Sequence, residues 1–104
     1  MATANEIEAF LQDFKVKFNV WGIVFIRPER NTQTLLLLEI SPNEREKIVS
    51  QITVSDYSKG PTKDVLNGGP DLWVFKKTVK GQVIYIKVKL GSTNNKVICI
   101  SFHT

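Results

Sequence analysis

Between Leu72 and Phe102 the chain reads as three strand-like runs separated by two short turns, and this pattern leaves few folds open. The runs are Leu72 to Val79, Gln82 to Leu90 and Lys96 to Phe102, joined by Lys80-Gly81 and by Gly91 to Asn95. Connections this short place each strand antiparallel beside the one before it, which predicts a three-stranded meander. Side chains alternate across a strand, so Ile84, Ile86, Val88 and Leu90 share one face, while Val83, Tyr85, Lys87 and Lys89 share the other. The first row has core character. In the last run Ile98, Ile100 and Phe102 form one row, and Val97, Cys99, Ser101 and His103 the opposite one, which puts His103 on the open face with Tyr85. In the first run Trp73 and Phe75 suit the core, leaving Val74, Lys76 and Thr78 on the open side.

The apolar face of such a sheet needs a cover, and the upstream sequence supplies one. Thr3-Ala4-Asn5-Glu6 is a capping-box pattern followed by Ile7, Phe10, Leu11, Phe14 and Phe18 at helical spacing, which predicts a helix from about Asn5 to Phe18. The apolar stretch Val20 to Ile26, ended by Arg27-Pro28, is a candidate strand. A second short helix is expected from Asn31 through Leu38. Ser41-Pro42-Asn43-Glu44 combines an N-cap serine, proline at the first helical position and a glutamate three residues after the cap, predicting a third helix to about Gln51. From Lys59 to Asp71, Gly60-Pro61 and Asn67-Gly68-Gly69-Pro70 are turn signals without periodicity, read as an exposed loop. Helices first and strands last give an α+β domain with the N-terminal helices packed on one face of a small antiparallel β-sheet. At 104 residues the chain makes one such domain, residues 1–104, because two cores of half the size would each be marginal.

Charge divides unevenly along the chain. Residues 1–52 carry six Lys or Arg against seven Asp or Glu, a net of −1, whereas residues 53–104 carry eight Lys against three Asp, a net of +5. A polyanion is the natural partner of the second half. The only cysteine, Cys99, has no second thiol for a disulfide or a zinc knuckle, so neither a metal site nor a cofactor is expected. The sequence holds no leader pattern and no run approaching the ~20 apolar residues of a membrane span. A cytoplasmic location without membrane attachment is the expectation.

The open face thus gathers a tyrosine, a histidine and lysines, preceded by a segment holding Lys59 and Lys63. Metal-independent RNA cleavage needs such groups: a base for the 2′-hydroxyl proton, an acid for the departing 5′-oxygen, and cations for the charge on phosphorus. Histidine can be acid or base near neutrality, lysine supplies charge, and tyrosine can stack on a base or donate its proton. Singly, each residue has a structural explanation: a solvated surface histidine, a half-exposed strand tyrosine, lysines that discourage edge pairing, a packed Cys99. Convergence on one face is what gives the functional reading its weight.

The order of Asp56-Tyr57-Ser58-Lys59, Leu72-Trp73, Gly81-Gln82-Val83-Ile84-Tyr85-Ile86-Lys87 and Ile100-Ser101-Phe102 resembles the motility quorum-sensing regulator (MqsR) family of toxins, within the RelE-like superfamily of bacterial mRNA interferases. Asn31-Thr32-Gln33-Thr34-Leu35-Leu36 and the helix ending in Ile48 resemble that family's central helices. The resemblance implies a toxin of a type II toxin-antitoxin system that cuts single-stranded mRNA, with a DNA-binding antitoxin as protein partner and the ribosome as a further candidate partner. It implies catalytic roles for Lys59 and Tyr85. The family's glutamine after the tryptophan falls on Val74, and Lys76, about 7 Å further along the same face, is the expected substitute. Where many family members carry a basic residue after Ser-Phe, this chain has His103, the expected acid or base. Lys63, Lys77, Lys87 and Lys89 are the expected RNA-binding cations, and the alternative expectation is a non-catalytic basic module that binds RNA or protein.

Overall fold

The structure is a computed structural model that describes residues 1–26 and 31–104. The Arg27-Pro28 boundary expected for the first strand lies outside the described residues. Among these, three helices precede most of a five-stranded sheet: α1 (Ala4–Trp21), β1 (Ile23–Phe25), α2 (Thr32–Leu38), α3 (Pro42–Ser50), a 3₁₀ turn (Val54–Asp56), β2 (Tyr57–Thr62), β3 (Leu72–Val79), β4 (Gln82–Lys89) and β5 (Val97–His103). The architecture is α+β. No helix among the described residues is long and apolar enough to cross a membrane.

Helix starts follow the capping chemistry. Thr3 Oγ1 accepts from the Glu6 N–H at 3.2 Å while Glu6 Oε1 accepts from the Thr3 N–H at 3.0 Å, and Ser41 and Glu44 repeat the exchange at 3.1 Å each way. Helix α1 runs past its expected end at Phe18 because its apolar stripe stops before the helix does. Val20 and Trp21 are exposed, and the helix closes only at Gly22, whose φ of 91° suits glycine. Ile7, Phe10, Leu11 and Phe14 face the sheet, where the Phe10 ring stacks on Trp73 at 4.5 Å. Phe75, Ile84, Ile86, Val88, Val97, Cys99 and Phe102 complete the core from the sheet side, with Ile52 and Val49 beside them.

The sheet order is β1-β5-β4-β3-β2, so the expected three-stranded meander is the centre of a larger, mixed sheet. β3, β4 and β5 are antiparallel, and the Lys80-Gly81 turn has positive φ at both residues (51° and 82°), as a tight hairpin requires. β1 adds parallel to β5 through Ile23↔Val97 and Phe25↔Cys99, which corrects the purely antiparallel expectation. The expected loop at Lys59 is also corrected. Residues 57–62 form β2, paired antiparallel with β3 through Tyr57↔Phe75, Lys59↔Val74 and Thr62↔Leu72, with irregularities on both sides of Lys59. Those irregularities and Gly60-Pro61 erase the alternation that would have marked a strand.

The two rows of β5 exchange faces midway. Lys87 pairs with Ser101 but Val88 pairs with Cys99, leaving Ile100 as an extra residue in a β-bulge. Before the bulge Val97 and Cys99 are core, at 0% and 1% exposure, contrary to the strict alternation assumed for this run; Ile98 and Ile100 are only partly buried. After it Phe102 is core and Ser101 and His103 turn to the open face. His103 therefore pairs with Tyr85 as expected, by a route the alternation alone did not contain.

Candidate active site

Register places the open-face residues in two neighbouring ranks across the sheet. One runs Lys59, Val74, Lys87, Ser101 over β2, β3, β4 and β5; the other runs Lys76, Tyr85, His103 over β3, β4 and β5. Neighbouring strands lie about 4.8 Å apart and successive same-face residues about 7 Å apart, so both ranks fit within one small area. Between them is a concavity of about 180 Å³ lined by Lys59, Val74, Tyr85, Lys87, Ser101 and His103. That is less than the roughly 300–1,000 Å³ typical of small-molecule pockets and suits a single phosphodiester better than a whole nucleotide.

The elements that hold each residue are local. Tyr57 turns to the core, edge-on to Trp73 and Phe75, and its hydroxyl donates to the Gly60 carbonyl at 2.6 Å, clasping the irregular stretch that carries Lys59. Gly60, with φ of 121°, lies against β3 so closely that a Cβ there would come within 2.8 Å of the Leu72 carbonyl oxygen. Only glycine lets β2 approach. Lys59 is exposed, and its neighbour Val74, at 8% exposure, forms an apolar floor between Lys59 and Lys87.

In the second rank Tyr85 stands between two neighbours. Lys76 Nζ lies 5.1 Å from the centre of its ring, and the His103 ring is 6.1 Å away at a 31° tilt. Both flanks of the tyrosine are thus occupied, which leaves the hydroxyl end as its accessible chemistry and disfavours base stacking. His103 is exposed, with Nδ1 3.1 Å from the Thr104 carbonyl oxygen, so Nε2 is the nitrogen turned to other partners. Lys76 does not line the concavity itself; it borders it through Tyr85.

Two of the expected RNA-binding lysines are already engaged. Lys77 projects to the helix side and pairs with Asp56 at 3.0 Å, where burial works against the Asp56 carboxylate but the Thr53 N–H and Lys77 hold it below its ordinary value. Lys89 is on the open side of β4, but residues 64–68 wrap over it. Its side chain is 7% exposed, and the ammonium donates to Asp64 Oδ2 at 2.7 Å and to the Gly68 carbonyl at 2.9 Å. Lys89, foremost, and the Asn67 N–H keep the Asp64 carboxyl below its usual range. Alternation already sets Lys77 in the row of Trp73 and Phe75, away from the open face, whereas the cover over Lys89 comes from a segment that alternation along β4 does not contain. Lys63 is exposed beyond the end of β2 and does not reach the concavity.

Ser101 is the lining residue that sequence reasoning missed as a site: alternation put it in the row of His103, but nothing local marked its hydroxyl as a ligand. Cys99, its neighbour across the β5 bulge, is packed: burial pushes its thiol up to about 12, against the opposing pull of Arg45, and the Sγ–H donates to the Ser101 carbonyl at 3.3 Å. Among the described residues no carboxylate lines the concavity. A larger groove of about 370 Å³, between α1 and residues 70–71, is lined by Glu6, Asp13 and Asp71 and has the wrong sign for a phosphate. Among the described residues no three His, Cys, Asp or Glu side chains cluster in one place. Comparison of the chain with models of known protein families, with curated proteins and with solved structures finds no match in any of the three.

Proposed function

We propose that the chain is an endoribonuclease that cleaves single-stranded RNA in the concavity between the two ranks, without calling on a metal ion. The observation that carries this reading is the meeting of Lys59, Lys87, Tyr85 and His103 around one space sized for a phosphodiester. Lys59 and Lys87, on strands two apart and so about 10 Å from each other at the backbone, have flexible stems that can bring both ammonium groups to the same phosphate. His103 takes the proton from the 2′-hydroxyl. The 2′-oxygen then bonds to phosphorus, the bond to the 5′-oxygen breaks, and Tyr85 delivers its proton to that leaving group. Lys76, beside the Tyr85 ring, stabilises negative charge as the phenol gives up its proton. The products are a 2′,3′-cyclic phosphate and a 5′-hydroxyl, and DNA, which lacks the 2′-hydroxyl, is no substrate.

The wider role, a toxin acting on mRNA and held by a DNA-binding antitoxin, rests on the sequence resemblance. One observation favours a second reading, a non-catalytic module whose basic face holds RNA or an acidic protein: the centre of the first rank is Val74, which can neither hydrogen-bond a phosphate nor move a proton. Incubation of the purified protein with RNA oligonucleotides in EDTA separates the two. Cleavage leaving cyclic phosphate ends, slowed ~10²–10⁴-fold by Tyr85→Phe or His103→Ala, is the expected result. Binding without cleavage of any RNA, with or without ribosomes, favours the module.

A further inference from the structure

We infer that the Ser101 hydroxyl is a third phosphate ligand, a neutral donor completing the rank begun by Lys59 and Lys87. The inference rests on the proposed reading of the site and adds a residue that neither the alternation nor the resemblance assigns to chemistry. Three observations carry it.

The first is position. Ser101 is the register partner of Lys87 on β5 and lines the same concavity as Lys59, Tyr85 and His103. Lys59 and Lys87 approach a bound phosphate from the β2 and β4 sides, and Ser101 is the only residue of that rank on β5. The second is availability. Ser101 is half-buried, yet among the hydrogen bonds of the described residues its hydroxyl has none, while its backbone carbonyl is used by the Cys99 thiol. A polar group placed in a concavity and left without a protein partner is free to donate to a ligand. The third is the backbone that presents it. Were Ile100 a regular strand residue, Ser101 would continue the core row of Val97 and Cys99; the bulge at Ile100 turns it out while keeping Phe102 in. Bulges re-aim side chains in this way beside active sites.

A phosphate passing from the ground state toward five-coordinate phosphorus gains charge on its non-bridging oxygens. Two ammonium groups on flexible stems follow that charge loosely, whereas a hydroxyl on a pleated strand offers a short, fixed donor. Ser101 contacts a non-bridging oxygen and transfers no proton, and His103, two residues later on the same strand and face, attends to the 2′-oxygen. Serine thereby occupies, from β5, the neutral donor role that Val74 cannot fill from β3.

The test uses Ser101→Ala and Ser101→Thr in the full chain, with folding checked by circular dichroism. With an RNA oligonucleotide, Ser101→Ala is expected to lower kcat roughly 10- to 10²-fold, the scale of a hydrogen bond to a charged group, with little change in KM. Ser101→Thr keeps the hydroxyl on a residue suited to strands and is expected to restore most of the rate. An unchanged rate in Ser101→Ala beside a slowed His103→Ala overturns the inference and leaves the nuclease reading standing. Equal loss in folded Ser101→Ala and Ser101→Thr overturns it too, since the hydroxyl then is not what matters. If the wild-type protein cuts no RNA, the nuclease reading fails separately, and Ser101 is judged by titration with a dinucleotide carrying a 2′-deoxy group before its phosphate. Binding weakened roughly tenfold by Ser101→Ala and recovered in Ser101→Thr supports the contact. Equal binding by wild type and Ser101→Ala, or none by the wild type, overturns it.

Discussion

Deleting Ile100 should leave the faces of β5, and with them the candidate site, in place, for one geometric reason. Ile100 is the extra residue of the β5 bulge, and removing it joins Cys99 to Ser101 in a regular ladder. Strict alternation from Val97 then keeps Cys99 and Phe102 in the core and Ile98, Ser101 and His103 on the open face. The contrast is Phe102→Ala, at a site only 1% exposed. Loss of a buried phenylalanine costs about 3–5 kcal/mol. Taking about 4 kcal/mol and a urea m-value of about 2 kcal/mol/M, the unfolding midpoint of Phe102→Ala should fall by about 2 M. That is a large share of the roughly 5–15 kcal/mol that holds a small domain together. The deletion, which gives up only a partly buried side chain, should move the midpoint far less. Urea titration followed by tryptophan fluorescence measures the difference, and RNA cleavage should fall less in the deletion than in His103→Ala. A deletion variant as unstable as Phe102→Ala, or as slow as His103→Ala, would refute the assignment of faces along β5.

The open-face and engaged lysines should separate in a salt titration of RNA binding. Lys59→Ala and Lys87→Ala should each reduce the slope of log affinity against log salt by about 0.7, the single-strand value per phosphate contact, whereas Lys77→Met should leave it unchanged because Lys77 is held by Asp56. Acid sensitivity should report the Asp64–Lys89 pair. A carboxyl held below its unfolded value contributes stability that is complete well above about pH 4 and is lost as pH falls through the lower folded value. Thermal melts across that range should show the loss, and Asp64→Asn, already weaker at neutral pH, should lose less on acidification. Cys99, with its thiol buried and pushed up to about 12, should resist thiol reagents in the folded protein and react at once in urea. Rapid labelling of the native chain would contradict its place in the core.

Elements whose signals are local were legible in the sequence, and features set by pairing were not. The two capping boxes, the Lys80-Gly81 hairpin and the β4 alternation each depend on residues a few positions apart, and each has its expected counterpart. Strand β2 was hidden because Tyr57 to Thr62 interrupts its own alternation and becomes a strand only by pairing with β3. The parallel pairing of β1 with β5 joins residues more than seventy positions apart, which no window on the chain contains. The site shows the same division. Tyr85 and Lys87 followed from β4 alone, while His103 reached the expected face through a bulge, Lys89 was claimed by a segment twenty-five residues upstream, and Ser101, though placed in the row of His103, was not marked as a site. A one-residue offset between partner strands is invisible until both strands are in place.

The borders of the sheet have a consequence of their own. An open sheet ends in two rows of backbone amides and carbonyls that invite a further chain to add on, the first step of fibre growth. Here one border strand, β1, is three residues long, and the other, β2, is broken on both sides of Lys59 and carries Pro61, which has no N–H to offer. The irregularity that disguises β2 and seats Lys59 over the concavity therefore also denies a neighbouring molecule a regular ladder to extend.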